Sequence, residues 1–202
     1  YIAENNLTCK AKKNIAKILD GKSIVYYSSW MDNLQNSPEW KGSYDLTKTW
    51  HYANVDECET YDSMRKEPKG DIVSAVDMII SGLRKGELSD STEADYLRML
   101  VHLIGDMHCP MHAGRLSDRG GNNFKVKWFG QQTNLHSVWD SRFIESARKW
   151  GYIEWPVQLD RCNKKERKRI SVGSPRQWFG ETVACAAYPF EVSPENSPRS
   201  YQ

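Results

Sequence analysis

Two long stretches of this sequence carry apolar residues at helical spacing, and this pattern constrains the fold more than any other feature. The stretches are Asp71–Leu83 and Thr92–Met107. A stripe of this kind is typical of an amphipathic helix that buries one face. A further helix is predicted over Pro175–Tyr188, closed by Pro189, and alternating residues predict a short strand at Phe124–Trp128. We therefore expect an all-α architecture with one small β-hairpin.

The rest of the chain alternates shorter helical candidates with irregular sequence. Helices are predicted at Cys9–Leu19, with Thr8 as the N-cap, at Ser23–Leu34 and at Asn134–Lys149. Residues 37–70 contain prolines and glycines with little periodicity, so we expect a long, mostly irregular excursion there. Long loops in compact domains are often functional.

Length and composition exclude several classes of protein. The chain has 202 residues, of which 39% are hydrophobic and 27% charged, and its net charge is +2. This length suits a single domain, predicted at 1–192, followed by an extended tail at 193–202. The uninterrupted apolar runs are far too short to cross a bilayer, so no membrane span is expected. The small net charge neither favours nor excludes a nucleic-acid partner, and no obligate protein partner is predicted.

Histidine–carboxylate pairs are the pattern that points to chemistry. His102 and Asp106 are four residues apart on one predicted helix, and His136 and Asp140 are four apart on another. Residues at i and i+4 lie on the same helix face, so each pair directs an imidazole and a carboxylate to one point. His112 lies between the pairs in the sequence. Because imidazole and carboxylate are ligands that zinc accepts, the pattern predicts a metal centre.

One such pair alone is a weak signal, since most pairs of this kind only pack or cap helix ends. In that alternative, Asp106 and Asp140 hydrogen-bond histidines and bind no metal. The position of Asp106 favours the metal, because it lies in the apolar stretch Leu103–Met107, where an unpaired buried carboxylate is costly and ligation removes that cost. Upstream, His51 and Asp32 are further candidate ligands.

Five segments of the chain together resemble a known family. They are His102-Leu-Ile-Gly-Asp106-Met-His-Cys-Pro-Met-His112, Asp118-Arg-Gly-Gly-Asn122, Asn134-Leu-His136-Ser-Val-Trp139-Asp140, Ser29-Trp30-Met-Asp32 and Thr49-Trp50-His51-Tyr52. In order and spacing they resemble the zinc-dependent S1/P1 nuclease family of single-strand nucleases and 3′-nucleotidases. The resemblance covers most of the chain and ends in the final helix near Cys185.

The resemblance implies a fold and a set of metal ligands. The fold is the all-helical one shared by phospholipase C and the single-strand nucleases, and the family binds three zinc ions. By resemblance, the first zinc has the ligands Asp32, His51, His102 and Asp106, and the second has His112, His136 and Asp140.

The third zinc of the family needs residues that this sequence does not show. In the family it uses an N-terminal Trp and a His a few residues later, with Asp106 as the shared carboxylate. This chain begins at Tyr1, in sequence that resembles the middle of the family's first helix. Either the natural protein carries the Trp and His upstream of Tyr1, and a third zinc with them, or this copy has lost that metal. We expect the first, because the chain starts inside a predicted helix rather than at a cap.

The implied activity is hydrolysis of single-stranded DNA or RNA and of 3′-nucleotides, by metal-activated water, to 5′-phosphate and 3′-hydroxyl products. Asp106 is the implied catalytic residue. Tyr52 stands where the family has an aromatic that stacks a nucleobase, although a core aromatic is the alternative. Asn54 stands where family members carry an Asp thought to assist the water and the base. A neutral amide cannot be a general base, so Asn54 is expected to contact substrate in the catalytic region.

Two other functions fit the same scaffold. One is a phospholipase C-like zinc phosphodiesterase, and the other is an inactive, zinc-stabilised helical binding protein that lost activity with its third metal. The basic run Arg161–Arg169 is interpreted as a solvated helix or loop rather than a phosphate-binding patch.

The cysteines bear on the compartment and on the metal. The resemblance implies a disulfide between Cys58 and Cys185, and a secreted or periplasmic location in agreement with it. Cys109 stands where the family usually has Gln. A thiol there can bind metal, but we expect a buried neutral cysteine.

Overall fold

The computed structural model describes residues 1–38 and 41–193. In chain order its helices are α1 (Ile2–Asn6), α2 (Cys9–Ile18), α3 (Trp30–Asn33), α4 (Lys41–Thr47), α5 (Ile72–Lys85), α6 (Asp90–Met107), α7 (Leu135–Ser137), α8 (Phe143–Ala147), α9 (Glu154–Leu159), α10 (Lys164–Ile170) and α11 (Pro175–Glu191). Strands β1 (Lys125–Trp128) and β2 (Gln131–Asn134) form an antiparallel hairpin. The predicted fold class, all-α with one small hairpin, is confirmed.

The chain divides into two compact units, each built from three segments. Unit 1 consists of Tyr1–Lys48, Val76–Ile104 and Trp150–Gly173, and unit 2 consists of Thr49–Ala75, Gly105–Lys149 and the stretch that begins at Ser174. The single domain 1–192 stays a prediction. The predicted tail, 193–202, lies outside the described residues apart from Ser193. Within the described residues, no helix combines the length and the apolar character that a bilayer crossing requires.

The core of unit 1 gathers around the end of α2. The Thr8 hydroxyl accepts a hydrogen bond from the Ala11 backbone N–H (3.1 Å), which confirms the predicted N-cap. Leu19 is fully buried and packs with Ile24 and Tyr27 from the following segment. These contacts fix the segment that leads into α3.

The predicted helix Ser23–Leu34 is not continuous. It consists of a 3₁₀ turn at Ile24–Tyr27, then α3, then a second 3₁₀ turn at Leu34–Asn36. Aromatic and β-branched residues lose side-chain freedom in a helix, which is why this run supports only short turns. The described part of the predicted excursion over 37–70 contains α4, and the chain from Lys48 to Gly70 is irregular, which agrees with a mostly irregular stretch.

The core of unit 2 lies between the hairpin and α11. Its buried members are Met111, Val126, Leu135, Val138 and Phe190. Burying side chains of this size stabilises a fold by about 1.5–3 kcal/mol each.

The final helix begins where its sequence predicts and ends later than predicted. Ser174 caps α11 in a capping box with Gln177, and the helix continues through Pro189 to Glu191. The prediction that Pro189 closes this helix was wrong. A proline this close to the C-terminus removes one backbone donor near the end of the hydrogen-bond ladder, and the ring of Pro189 is buried.

The helix predicted over Asn134–Lys149 has an interruption. The Asn134 side chain caps its start by accepting from the Ser137 N–H (2.7 Å). A π-helical turn occupies Val138–Arg142 between α7 and α8, and the helix ends at Ala147. π-helical turns are rare and frequently occur at functional sites.

Candidate metal centre

In unit 1, the structure brings together two of the predicted ligands, His102 from α6 and Asp32 from α3. The Nε2 atom of His102 lies 3.4 Å from Oδ1 of Asp32. The other ring nitrogen, Nδ1, lies 2.8 Å from the backbone carbonyl oxygen of Ser28, to which it donates. The histidine side chain is 5% exposed, whereas the aspartate side chain is 61% exposed.

Packing explains this arrangement in unit 1. Val101 and Leu97 on α6 pack against the buried cluster of Leu19, Ile24 and Tyr27. This contact positions the neighbouring imidazole of His102 beside the Ser28 carbonyl that follows the Ile24–Tyr27 turn.

In unit 2, an extended segment carries the upstream candidate residues. The N–H of Ala53 donates to the carbonyl of His112 (2.9 Å), and the N–H of Val55 donates to that of Gly114 (3.2 Å). Ala53 and Val55 are buried, and side chains alternate along an extended chain. Tyr52 and Asn54 therefore face the opposite side.

Asp106 connects two imidazoles of unit 2. Its Oδ2 accepts a hydrogen bond from Nδ1 of His51 at 2.9 Å. Its Oδ1 lies 3.6 Å from Nδ1 of His112. The carboxylate is 16% exposed, so two imidazoles compensate the cost of burying it.

His112 is also the link to the downstream pair. Its Nε2 lies 3.4 Å from Oδ1 of Asp140. Its ring stacks on that of His136, with centroids 5.3 Å apart and an interplanar angle of 19°. The structure thus brings together five predicted ligands within unit 2: His51, Asp106, His112, His136 and Asp140.

A glycine turn orients His136. Its Nδ1 donates to the Gly120 carbonyl oxygen at 2.8 Å. Gly120 has φ +62°, and a Cβ at this position would lie 2.7 Å from the Met111 carbonyl oxygen. Only glycine fits both constraints. The Asp118 carboxylate holds the turn by accepting from the Gly121 N–H (2.7 Å).

The same tautomer is favoured in three of the histidines. His51, His102 and His136 each direct Nδ1 to an oxygen acceptor at 2.8–2.9 Å. An oxygen acceptor fixes the ring proton on Nδ1 and leaves the lone pair on Nε2 for a metal ion. This arrangement and the imidazole–carboxylate donor set fit zinc.

The pKa values of two candidate ligands, His136 and Asp140, are lowered in the direction that favours metal binding. Burial is the main cause that lowers the pKa of the His136 imidazole, and the neighbouring His112 lowers it further. The interaction with the His112 ring is the main cause that lowers the pKa of Asp140. A neutral imidazole and an ionised carboxylate are the forms that bind metals.

A pocket of about 230 Å³ in unit 2 opens beside His136. Its lining residues are Tyr52, Asn54, Glu67, Met111, Leu116, Arg119, Gly120, Asn122 and His136. Burial, and then the Glu67 carboxylate, raise the pKa of the Tyr52 phenol, whereas the Arg119 guanidinium lowers it. The two residues expected to contact substrate, Tyr52 and Asn54, therefore share a pocket with a candidate metal ligand.

Sequence reasoning missed two charged residues of this pocket, Glu67 and Arg119. Glu67 lay in the excursion without periodicity, so no spacing rule placed it. Arg119 lies inside the segment Asp118–Asn122 that carries the resemblance, which was a usable signal. Asp56, close to Asn54 in sequence, accepts instead from the N–H (3.2 Å) and hydroxyl (3.1 Å) of Ser117.

The predicted disulfide is not formed. Cys58 and Cys185 both carry free thiols and are exposed. Cys58 lines a cavity of about 450 Å³ together with Val183, Ala186 and other residues of α11. Cys185 lies two residues from Val183, so helix geometry directs it to a different face.

The sequence of this chain is similar to those of known proteins. Residues 1–199 match the family described as "S1/P1 Nuclease". Endonuclease 3 of Arabidopsis thaliana is 32% identical over 158 residues, which are 74% of this chain and 51% of that protein. Endonuclease 4 of the same plant is 31% identical over 161 residues, covering 74% and 52%.

A fungal relative shows the same extent of similarity. Nuclease S1 of Aspergillus oryzae is 27% identical over 158 residues, which are 73% of this chain and 52% of that protein. The chain thus spans about half the length of the curated relatives it matches. The match over residues 1–199, together with these relatives, shows that the chain belongs to the S1/P1 nuclease family.

Proposed function

We propose that this protein is a zinc-dependent phosphodiesterase that hydrolyses single-stranded nucleic acid and 3′-nucleotides. Water adds to phosphorus and the bond from phosphorus to the 3′ oxygen breaks. A nucleic acid then gives a 5′-phosphate and a 3′-hydroxyl, and a 3′-nucleotide gives inorganic phosphate and a nucleoside with a 3′-hydroxyl. The relatives named nuclease and endonuclease support this assignment.

The observation that carries the proposal is the cluster in unit 2. Its donors come from sequence positions as far apart as His51 and Asp140, yet Asp106 and His112 connect them through contacts of 2.9–3.6 Å. A histidine that only packs a helix end needs one acceptor. A run of imidazoles and carboxylates that alternate in space is typical of a metal centre.

We assign the ligands as the family resemblance implies. His112, His136 and Asp140 hold one zinc, and Asp32, His51, His102 and Asp106 hold another. The pairs formed inside each unit support this assignment: His102 with Asp32 at 3.4 Å and His51 with Asp106 at 2.9 Å.

Zinc, when bound, supplies hydroxide near neutral pH and neutralises charge on the phosphate oxygens. The protein's own residues hold the geometry. Asp106 keeps the rings of His51 and His112 in place. The carbonyls of Ser28 and Gly120 keep the protons of His102 and His136 on Nδ1.

The pocket beside His136 is the proposed nucleotide site. Tyr52 offers an aromatic face on which a base stacks, worth about 1–3 kcal/mol per base. The Asn54 amide offers two N–H donors and a carbonyl acceptor but no base function. The Asp56 carboxylate, which accepts from Ser117, does not replace it. Arg119 and Glu67 add one charge of each sign to the wall of the pocket.

The proposed location, secreted or periplasmic, rests on the family resemblance alone. The thiols of Cys58 and Cys185 are free, so no bridge between them supports this location.

A cleavage assay with metal control tests the proposal. The chain, loaded with zinc, is incubated with labelled single-stranded DNA, and the ends of the products are identified. We expect 5′-phosphate ends, loss of cleavage with a chelator and recovery on adding zinc. Asp106→Asn should be inactive, whereas Asp77→Asn, on an exposed position of α5, should remain active.

Two results would contradict the proposal. Cleavage of phosphatidylcholine without cleavage of DNA would indicate the phospholipase alternative. Stoichiometric zinc without turnover on either substrate would indicate a binding protein.

A further inference from the structure

Cys109, which the ligand set above does not include, belongs to a group of three donor residues in unit 2. Its sulfur, a ring nitrogen of His112 and a carboxylate oxygen of Asp140 all lie within 4.8 Å of one another. Three different donor types at this separation match the first shell of a single ion.

The local backbone explains why the thiol faces His112. Cys109 precedes the 3₁₀ turn Pro110–Ala113. The His112 N–H donates to the Cys109 carbonyl at 3.0 Å, which closes the turn. The sulfur of Cys109 and a ring nitrogen of His112, the two residues that this hydrogen bond joins, lie within 4.8 Å of each other.

We propose that Cys109 is a thiolate ligand of the metal ion held by His112, His136 and Asp140. The inference rests on the proposed zinc function and deepens it. When the ion binds, the S–H bond of Cys109 breaks, a sulfur–metal bond forms and the proton passes to solvent. No electron is transferred, so no oxidant or reductant is required.

The added ligand changes the expected character of this site. Three protein ligands leave an open position, as in catalytic zinc sites, whereas four protein ligands close the shell, as in structural ones. With Cys109 bound, we expect tighter binding and a preference for thiophilic ions such as cadmium.

The competing interpretation is that Cys109 only fills space. It packs at the edge of the cluster that contains Met111 and Val138. A cysteine that only packs beside the ion forms no sulfur–metal bond and gives no sulfur-to-metal charge-transfer band. The two interpretations therefore differ in a measurable way.

Cobalt substitution of the full chain is the decisive test. Metal-free protein is titrated with Co²⁺, and the near-ultraviolet band of sulfur-to-cobalt charge transfer is recorded together with the visible d–d bands. We expect the charge-transfer band in the unmodified chain, its loss in Cys109→Ser, and its retention in Cys162→Ser, a cysteine that is also partly buried. Cobalt and zinc affinity should fall at least about 10-fold in Cys109→Ser.

The outcomes separate this inference from the proposed function. Visible d–d bands without a charge-transfer band would overturn the role of Cys109 and leave the zinc function intact. Failure to bind cobalt or zinc at all would overturn both.

A second measurement uses only the unmodified chain, so its result does not depend on whether the Cys109→Ser variant folds. The unmodified chain is treated with iodoacetamide with and without zinc, and the modified peptides are identified by mass spectrometry. Zinc should protect Cys109 selectively, while the exposed Cys9 and Cys185 react in both states. Equal modification of Cys109 in both states would contradict the proposal.

Discussion

The two units differ in the number of candidate ligands that each brings together. Unit 1 contributes one pair, His102 and Asp32, whose carboxylate is mostly exposed. Unit 2 contributes three imidazoles, two carboxylates and the neighbouring thiol of Cys109. Zinc sites use at least three protein ligands, so unit 2 meets this number with its own residues and unit 1 does not.

The backbone that holds the ligands differs in the same way. In unit 1 both residues lie on α-helices, α3 and α6. In unit 2, Asp106 lies on the last turn of α6, and the other ligands lie on a turn at His51, a 3₁₀ turn, a π-helical turn and a short helix that starts beside a glycine turn. Regular helices suffice to form a pair, whereas convergence of many donors within one unit requires irregular backbone.

The largest expected effect is that of Asp106→Asn, because this carboxylate contacts two imidazoles. Because even an indirect partner of a metal ligand contributes about 10- to 100-fold in affinity or activity, loss of this ligand should lower kcat/KM by more than about 100-fold. The variant should also lose bound zinc. Kinetics on single-stranded DNA and elemental analysis of the purified protein measure both.

Asp77→Asn is the matched control for this substitution, since it makes the same chemical change at an exposed position of unit 1. It should alter neither turnover nor zinc content. Normal turnover in Asp106→Asn would refute the site assignment.

The second prediction tests whether unit 2 binds metal with its own residues. His102→Gln should weaken one zinc by more than about 100-fold, because even an indirect partner of a ligand contributes 10- to 100-fold. The other zinc should keep nearly its original affinity. His136→Gln should show the converse, and His108→Gln, at an exposed position, should change neither.

Competition with a chromophoric chelator resolves the two affinities. If His102→Gln removed both ions together, the donors of unit 2 would not be sufficient by themselves. The difference between the units would then have no functional meaning.

The sequence predicts those parts of this site that depend on regular helices. The pairs His102/Asp106 and His136/Asp140 were recognisable because i,i+4 spacing places residues on one helix face. Apolar periodicity likewise located α5 and α6 to within two residues. Both signals are local, so a single sequence contains them.

The remaining features depend on contacts between distant segments. No spacing rule places Glu67 in a pocket with Tyr52, or the Gly120 carbonyl beside His136. The π-helical turn after His136 and the continuation of α11 through Pro189 are tertiary overrides of local preference. The predicted bridge between Cys58 and Cys185 was wrong, since both thiols are free.

The third prediction compares the backbone carbonyls that orient His136 in unit 2 and His102 in unit 1. Gly120→Ala places a Cβ 2.7 Å from the Met111 carbonyl oxygen at φ +62°. The Gly120 carbonyl that orients His136 must then move. We expect loss of stability and an approximately 10-fold loss of zinc affinity.

Two controls separate the causes. Gly86→Ala has a similar φ, +68°, but a Cβ there meets nothing within 4 Å, so it should cost only about 1 kcal/mol in the free energy of unfolding. Ser28→Ala keeps the carbonyl that orients His102 in unit 1 and should leave zinc affinity unchanged. Equal effects of Gly120→Ala and Gly86→Ala in denaturant titrations would show that the contact with Met111 is unimportant.

The smallest expected effect concerns the pocket of unit 2. Tyr52→Leu removes the aromatic face, and because the ring is only partly buried we expect the lower end of base stacking, about 1 kcal/mol or roughly fivefold weaker binding. Tyr52→Phe keeps the face and should bind nearly as well. Inhibition by a 5′-mononucleotide measures this affinity, with Tyr26→Leu, an exposed tyrosine of unit 1, as the matched control. If Tyr52→Leu and Tyr26→Leu bind the nucleotide equally well, Tyr52 packs the pocket without stacking a base, and the specificity of unit 2 must then come from Asn54, Glu67 or Arg119.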